Sequence, residues 1–281
     1  MLKMKSPLVH IIILNWNNWQ DTLDCVRSLA SSSYTNIRIV IVDNGSTDDS
    51  VQQFKLNAPD CRLIRSSRNL GFSGGNNLGI EDAIRSDAEY VWLLNNDTKP
   101  DPHCLSALVA KAQSNPQLGA VGSVLTYMHA PDKVQAWGGG SINFVLGRSA
   151  HHTAPSNNQE LTYLTAASLL LRTKALASID LFDEGFFLYW EDADLSLRLR
   201  AKGWQLDVAN DARVLHRESA SLEGRLPARD VYYSRSIVRF FRKHSRVPQI
   251  PIALSFTTRV AMRILRGEWD RAGAVVKGTF T

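Results

Sequence analysis

Apolar and polar positions alternate along this chain in blocks. Short apolar runs at 9–14, 37–42, 63–65 and 91–94 are separated by stretches in which apolar residues recur every three or four positions, such as Leu23, Val26 and Leu29. Apolar runs bounded by turn formers predict strands buried on both faces, and the longer spacing predicts helices. The pattern gives helices over 21–29, 50–54, 77–86, 104–114, 172–178 and 194–202, the last ended by Gly203. Further strands are expected at 119–127, 205–209 and 214–216, with a buried run at 163–171. Strand and helix alternating in this way point to an α/β fold, a mixed and mostly parallel sheet flanked by helices.

Two regions depart from the alternation. Residues 137–158, opening on Trp137-Gly138-Gly139-Gly140, form a long polar stretch expected to be a mobile lid. Its His151-His152 pair is expected to face solvent rather than to share an ion. Near the C-terminus, Arg235, Arg239, Arg242 and Arg246 share a helical face opposite Tyr233, Ile237, Phe240 and Phe241. Pro248 and Pro251 interrupt the pattern, and Arg259, Arg263 and Arg266 then line one side of a second segment. These are amphipathic helices.

Composition narrows the class. With 281 residues and 44% apolar content, a large core is possible and global disorder is excluded. Cys25, Cys61 and Cys104 are scattered and odd in number, which predicts reduced thiols and a cytoplasmic location. The apolar run after Lys3 and Lys5 is too short for a signal peptide and has no small-residue cleavage site. No run reaches the roughly 18 residues of a membrane span. The net charge of +5 is uneven: residues 213–281 hold 14 Lys+Arg and 5 Asp+Glu, a net +9, leaving −4 elsewhere. A basic tail on a mildly acidic body suggests an anionic membrane surface as partner, with no sign of nucleic-acid binding.

The candidate chemistry lies where strands end. Ligands of an open α/β sheet collect beyond the carboxyl ends of its strands. The run at 91–94 leads into Asn95-Asn96-Asp97, and Asp97 offers one hard oxygen ligand. Asp43 ends the second strand and is placed to accept the imide N–H of a uracil or thymine, while Gly45 permits a bend and Ser46, Thr47 and Asp48 cap the next helix. Each loop is also explicable as a turn without a ligand. Residues 68–79 (Arg-Asn-Leu-Gly-Phe-Ser-Gly-Gly-Asn-Asn-Leu-Gly) suggest backbone approaching a ligand closely, with Arg68 beside a phosphate. They are no dinucleotide fingerprint, since Ser73 stands where the second glycine belongs and the segment follows the third strand. A dehydrogenase is therefore disfavoured. Glu191, Asp192 and Asp194 follow Phe186, Phe187, Tyr189 and Trp190. Three acids exceed what helix capping requires, and carboxylates beside rings lose solvation and become better bases.

Taken in order, residues 42–48, 69–77, 94–97 and 191–198, with His216 downstream, resemble the family 2 inverting glycosyltransferases, and among them bacterial rhamnosyltransferase-like members of cell-surface polysaccharide synthesis. The resemblance covers roughly residues 8 to 245. It implies a GT-A fold, with a glycosyltransferase domain over 1–228 (donor half about 1–130, acceptor half about 131–228) and a basic amphipathic helical tail over 229–281. It implies a nucleotide diphosphate sugar as donor, dTDP-rhamnose or a UDP-sugar, and a glycan or lipid-linked acceptor met at the inner face of the cell membrane. Asp192 matches the general base and Glu191 an acceptor-supporting position. Asn15, Asp43, Asn44, Arg68, Asn69, Gly75, Asn76, Asn95, Asn96 and Asp97 are expected around the donor, and Trp137, Gly138, Tyr189 and Trp190 around the acceptor. Asp97 and His216 match ligands of a divalent metal, Mg or Mn. Asn95 departs from the family by replacing the first acid of its D-x-D motif, which removes one charge from the metal site. Ala166 stands where relatives often have glycine. A nucleotidyltransferase on a similar sheet lacks support, because Asn15-Trp16-Asn17-Asn18 is not a glycine-rich basic loop. A catalytically silent nucleotide-sugar-binding protein stays open as the alternative.

Overall fold

A computed structural model of the chain describes residues 6–155, 161–217 and 226–281. The first half alternates strand and helix: β1 (Val9–Asn15), α1 (Trp19–Leu29), β2 (Ile37–Asp43), α2 (Ser50–Asn57), β3 (Arg62–Arg65), α3 (Gly71–Arg85) and β4 (Tyr90–Leu94). β1 pairs in parallel with both β2 and β4, and β2 with β3, giving the order β3-β2-β1-β4. Ile11, Ile12, Ile13, Val40 and Ile41 are fully buried, because crossover helices cover both faces of a parallel sheet. The chain moves outward from β1 to β3 and then returns to the far side of β1 as β4. The strand order reverses there, so a crevice opens between the carboxyl ends of β1 and β4.

The chain continues through β5 (Thr98–Pro100), α4 (Cys104–Ser114), β6 (Leu118–Tyr127), β7 (Ala130–Trp137), β8 (Gly139–Asn143), β9 (Arg148–His151), β10 (Tyr163–Leu164), β11 (Ser168–Arg172), α5 (Thr173–Ala177), α6 (Glu191–Ala201) and β12 (Gln205–His216). Among the described residues the main sheet extends as β4-β11-β6-β12-β5, with β7 beside β6, and a second sheet has the order β10-β8-β9. β11 runs antiparallel to β4 and β6, while β12 is parallel to β6. The architecture is the GT-A arrangement, a mostly parallel sheet flanked by helices.

Several elements differ from the sequence expectation. The glycine-rich stretch is not an open loop, because α3 begins at Gly71 rather than at Asn77. A Cβ on Gly75 would lie 2.5 Å from Leu14 Cδ1, and one on Gly79 2.7 Å from Ile12 Cγ2. These glycines let a helix lie directly on β1. The expected lid over 137–158 is built instead from the ends of β7 and the β8–β9 hairpin, pinned by main-chain bonds such as His152 N–H to Gly139 O at 2.9 Å; residues 156–158 lie outside the described residues. The buried run at 163–171 splits between the two sheets, and 205–216 is one strand with an irregularity between Ala209 and Arg213.

The C-terminal segment forms α7 (Leu226–His244), α8 (Gln249–Leu265) and α9 (Trp269–Phe280). α7 buries Ile237, Phe240 and Phe241 against Phe186 and Trp190. The division drawn at 228/229 falls inside this helix. Among the described residues, no helix is long and apolar enough to cross a membrane.

Candidate active site

A cavity of about 810 Å³ opens at the crevice between β1 and β4. Its wall includes Asn44, Asn69, Asn95, Asn96, Asp97 and His216 on one side of the chain's inventory, and Tyr189, Trp190, Glu191 and Asp192 on the other. Two acidic clusters almost a hundred residues apart therefore share one space. The turn between β10 and β11 links them physically. Asn95 N–H donates to Ala167 O at 2.9 Å, and Ala166 N–H donates to Asp192 Oδ2 at 3.4 Å.

The Asn95–Asp97 side of the cavity is ordered by amides. Asn96 Nδ2 donates to Thr22 Oγ1 at 3.0 Å, Thr22 Oγ1 donates to Asn15 Oδ1 at 2.8 Å, and Asn15 Nδ2 donates to Asp43 Oδ1 at 3.2 Å. This chain ties the ends of β1, β2 and β4 into one rigid floor. Asn44 accepts from Leu70 N–H at 2.9 Å and donates to Gly71 O at 2.9 Å, which fixes the entry to α3. Asp48 Oδ1 accepts from Ser50 N–H at 3.1 Å in the turn before α2, but the N-cap position is Asp49 and it makes no side-chain cap bond, so the expected capping by Ser46, Thr47 or Asp48 is not found. Asn15, Asp43, Gly75 and Asn76 are close behind this floor but do not line the cavity, and Arg68 is exposed outside it. Asn76 donates to Phe72 O within α3.

His216 ends β12 beside β5, and this pairing brings it to Asp97. Its Nε2 lies 3.2 Å from Asp97 Oδ1 and 3.3 Å from Asn95 Nδ2, while Nδ1 lies 2.7 Å from Gln135 Oε1. In the tautomer that donates from Nδ1 to the Gln135 amide oxygen, Nε2 is left as an acceptor beside Asn95 and Asp97. Two acceptors facing one another across 3.2 Å suit a shared cation. Asn95 donates to Nε2, which an aspartate at that position could not do. Gln135 was missing from the sequence reading, since nothing in the local pattern of β7 marks it.

The Glu191–Asp192 side of the cavity is built at the N-terminus of α6. Tyr189 and Trp190 both adopt left-handed backbone conformations, with φ of 69° and 67°, at a cost of about 1 kcal/mol or more each. The aromatic cluster offsets this strain. The Trp190 ring lies 4.7 Å from Phe240 and 5.4 Å from Phe241, centroid to centroid. Trp190 is consequently buried against α7, yet it remains part of the cavity wall. Tyr189 remains at the cavity wall. Trp137 and Gly138 are absent from that wall. Trp137 Nε1 donates to Asn210 Oδ1 at 2.9 Å, and Gly138 packs on Val208.

Burial raises the Glu191 carboxyl well above the ordinary range, and the neighbouring Asp192 charge adds to the effect. Burial also raises Asp192, opposed by His151 and by N–H bonds from Ala193 and Ala166. Glu191 Oε2 is buried without a hydrogen-bond partner. Both carboxyls are thus held above the ordinary range, Glu191 by burial and the adjacent Asp192 charge, and Asp192 by burial. His151, expected to face bulk solvent, is exposed into the cavity and shares a 3.2 Å contact with Tyr163 Oη. Arg229, Tyr232 and Tyr233 of α7 complete the wall. Their inclusion was not legible from the sequence, where α7 reads only as an amphipathic helix.

The residue set fits a divalent cation in part. Asp97 and His216 supply an oxygen and a nitrogen, with Asn95 adjacent, and among the described residues no cluster of three or more His, Cys, Asp or Glu could hold a metal. A cation here would need further oxygens from a bound diphosphate or water.

Comparisons with known proteins agree with this arrangement. The family model described as glycosyl transferase family 2 matches residues 10–173. The chain is 28% identical over 262 residues to the N-acetylglucosaminyl-diphospho-decaprenol L-rhamnosyltransferase of Mycobacterium tuberculosis, covering 84% of this chain and 85% of that protein. It is 22% identical to the glycosyltransferase GlyG of Streptococcus pneumoniae, covering 85% and 79%. Among solved structures it resembles the mannosyltransferase PcManGT from Pyrobaculum calidifontis in complex with GDP-Man and Mn2+, with a TM-score of 0.63, 15% identity, and coverage of 98% and 86%. It also resembles GalNAc-T7 with UDP, GalNAc and Mn2+, with a TM-score of 0.68, 13% identity, and coverage of 95% and 54%. With its fold, its cavity and the matched segment in agreement, the chain belongs to glycosyl transferase family 2 and is a glycosyltransferase.

Proposed function

We propose that this enzyme moves rhamnose, with inversion, from dTDP-rhamnose to a saccharide or lipid-linked acceptor in cell-surface polysaccharide synthesis. The carrying observation is the single cavity lined by both Asp97 and Asp192. The mycobacterial relative supports the sugar and the acceptor class, because its name specifies an L-rhamnosyl group and a diphospho-decaprenol lipid. UDP-sugars are the competing donors.

In this reading the donor base and ribose lie along the floor made by Asn44, Asn69 and Asn96, backed by Asn15 and Asp43. The diphosphate lies toward Asp97 and His216. A Mg or Mn ion held there would offset charge on the leaving diphosphate. Asp192 accepts the proton of the acceptor hydroxyl as it attacks the anomeric carbon. The carbon–oxygen bond to the diphosphate breaks as the new glycosidic bond forms. One base and one displacement give inversion. Glu191, protonated and buried, keeps a second negative charge away from the acceptor. Tyr189, Tyr232 and Tyr233 offer ring faces and hydroxyls to sugar. The enzyme works as a peripheral protein on the cytoplasmic face of the cell membrane, where a lipid-linked acceptor would be met.

Titration calorimetry with dTDP-rhamnose and a panel of UDP-sugars, with and without Mn2+, tests the donor, followed by a transfer assay with the preferred one. Selective binding of dTDP-rhamnose with transfer supports the reading. Preference for another nucleotide sugar overturns the rhamnose assignment. Binding without transfer to any acceptor favours the silent binding protein.

A further inference from the structure

The C-terminal helices are arranged against the usual sense of amphipathic packing. The inward face of α8 carries charge beside the buried Pro251 and Ser255. Arg259 and Arg263 reach inward to Asp230 Oδ1 at 2.9 and 3.0 Å, and Arg271 of α9 reaches Asp230 Oδ2 at 2.7 Å. Glu268 accepts from Arg263 and Arg271 at 2.7 and 3.1 Å. These arginines are committed to the interior and are not available to lipid headgroups, which corrects the sequence expectation for Arg259 and Arg263.

The outward face of α8 is mostly apolar, with Thr257 and Thr258 exposed among its apolar positions. Ile250, Leu254, Ala261 and Leu265 are all exposed, and their spacing of 4, 7 and 4 residues places them on one helical stripe. Leu265 is 86% exposed, Trp269 at the following turn 67%, and Phe280 at the end of α9 75%. The tip of the β8–β9 hairpin packs against the first turns of α8. Gly147 is packed so closely on the Pro251 carbonyl of α8 that no Cβ would fit, and its neighbour Val145 is 63% exposed. Segments a hundred residues apart thus present apolar side chains together. Isolated exposed leucines need no explanation, but a contiguous set does.

The charge around this surface identifies what covers it. Arg148, Arg246, Arg266 and Lys277 are exposed, and each lies within three residues of an exposed apolar position. Asp270 is the exposed acid among the described residues of α8, α9 and their turn. Apolar side chains within a basic fringe match the interface of an anionic bilayer. A second copy of the chain would bring a fringe of the same sign.

We propose that the outward face of α8, the α8–α9 turn and the β8–β9 tip form a membrane-docking surface that inserts apolar side chains among anionic phospholipids. This deepens the peripheral location proposed above and rests on that reading for its purpose. The same elements reach the cavity: Ser149 and His151 of β9 line it, and Arg259 stacks at 4.4 Å over Tyr233, another lining residue. Docking by this face would hold the acceptor side of the cavity near the bilayer.

The full chain is tested by flotation with phosphatidylcholine vesicles, with and without phosphatidylglycerol, in the absence of donor and acceptor. The expected result is flotation with the anionic vesicles that persists in part at high salt, because apolar insertion is not screened. Leu254→Glu and Leu265→Glu should each lower the vesicle partition roughly tenfold or more, while donor binding by calorimetry is unchanged. Failure of the wild-type chain to float, flotation unaffected by both substitutions, or a dimer in sedimentation that Leu265→Glu dissociates would each overturn the proposal. Flotation by a protein that transfers no sugar to lipid-linked acceptors leaves the docking surface standing and removes the acceptor assignment.

Discussion

Replacing Asp192 by Asn separates the chemistry of the site from its architecture. Asp192 Oδ1 accepts the Ala193 N–H at 2.8 Å and Oδ2 the Ala166 N–H at 3.4 Å. An asparagine oxygen keeps the shorter bond. Its NH2 group replaces the acceptor of the longer one, a loss of at most about 1 kcal/mol. The opposing contribution is electrostatic. Both Asp192 and Glu191 are raised in the folded protein. Their stabilising contribution is therefore complete below the unfolded carboxyl values of about 4. It is lost as pH rises from there through the higher folded values. At neutral pH the ionised pair member burdens the fold, and Asp192→Asn relieves that burden. The variant should match or exceed the wild-type Tm. Catalysis behaves differently. Removing a general base costs about 100- to 10,000-fold, or about 3–5 kcal/mol of barrier. Wild-type kcat/KM should fall at acid pH with a midpoint above the ordinary aspartate value, and that limb should vanish in the variant. The measurements are sugar transfer across pH, donor calorimetry and thermal unfolding. Wild-type turnover by Asp192→Asn, or loss of turnover accompanied by a collapse in Tm, would refute the assignment.

Three further outcomes follow from the geometry. Gln135→Leu removes the partner of His216 Nδ1 without touching the cavity, and should weaken the Mn2+ dependence of donor binding by about tenfold or more, read by calorimetry at several metal concentrations. Gly79→Ala drives a Cβ to within 2.7 Å of Ile12; overpacking of about 1–3 kcal/mol exceeds the roughly 1 kcal/mol gained in helix propensity, so the denaturation midpoint should fall. Asp230→Ala leaves Arg259 without its acid while Arg263 and Arg271 keep Glu268, and should cost about 1–3 kcal/mol, measured by urea unfolding, with loosening of α7 seen as faster hydrogen exchange.

The strands and their exit loops were legible because burial leaves a local mark. A strand covered on both faces must be apolar throughout, as residues 9–14 and 91–94 are, and the polar residues that follow it must lie at the sheet's carboxyl end. That reasoning reached Asn95, Asn96 and Asp97, and the run of acids beside aromatic residues marked Asp192; each lines the cavity. It failed at residues 71–79, where glycine was taken to signal a ligand loop. Glycine permits close approach to any surface, and here the surface is β1.

What the chain could not disclose by itself are pairings between distant residues. Gln135 acquires its meaning from His216, 81 positions away, and Trp190 is packed against Phe240 and Phe241 of α7 at the cavity wall. Helical periodicity placed Arg259 and Arg263 on one face of α8, yet it contains no information about which face turns inward. Asp230 decides that, because three guanidinium groups around one buried carboxylate hold the charged side inside and leave leucines in contact with solvent. Hydrophobic pattern specifies the elements, since it reflects the burial of each segment separately; the orientation of elements and the composition of the site depend on contacts that exist only once the segments have met.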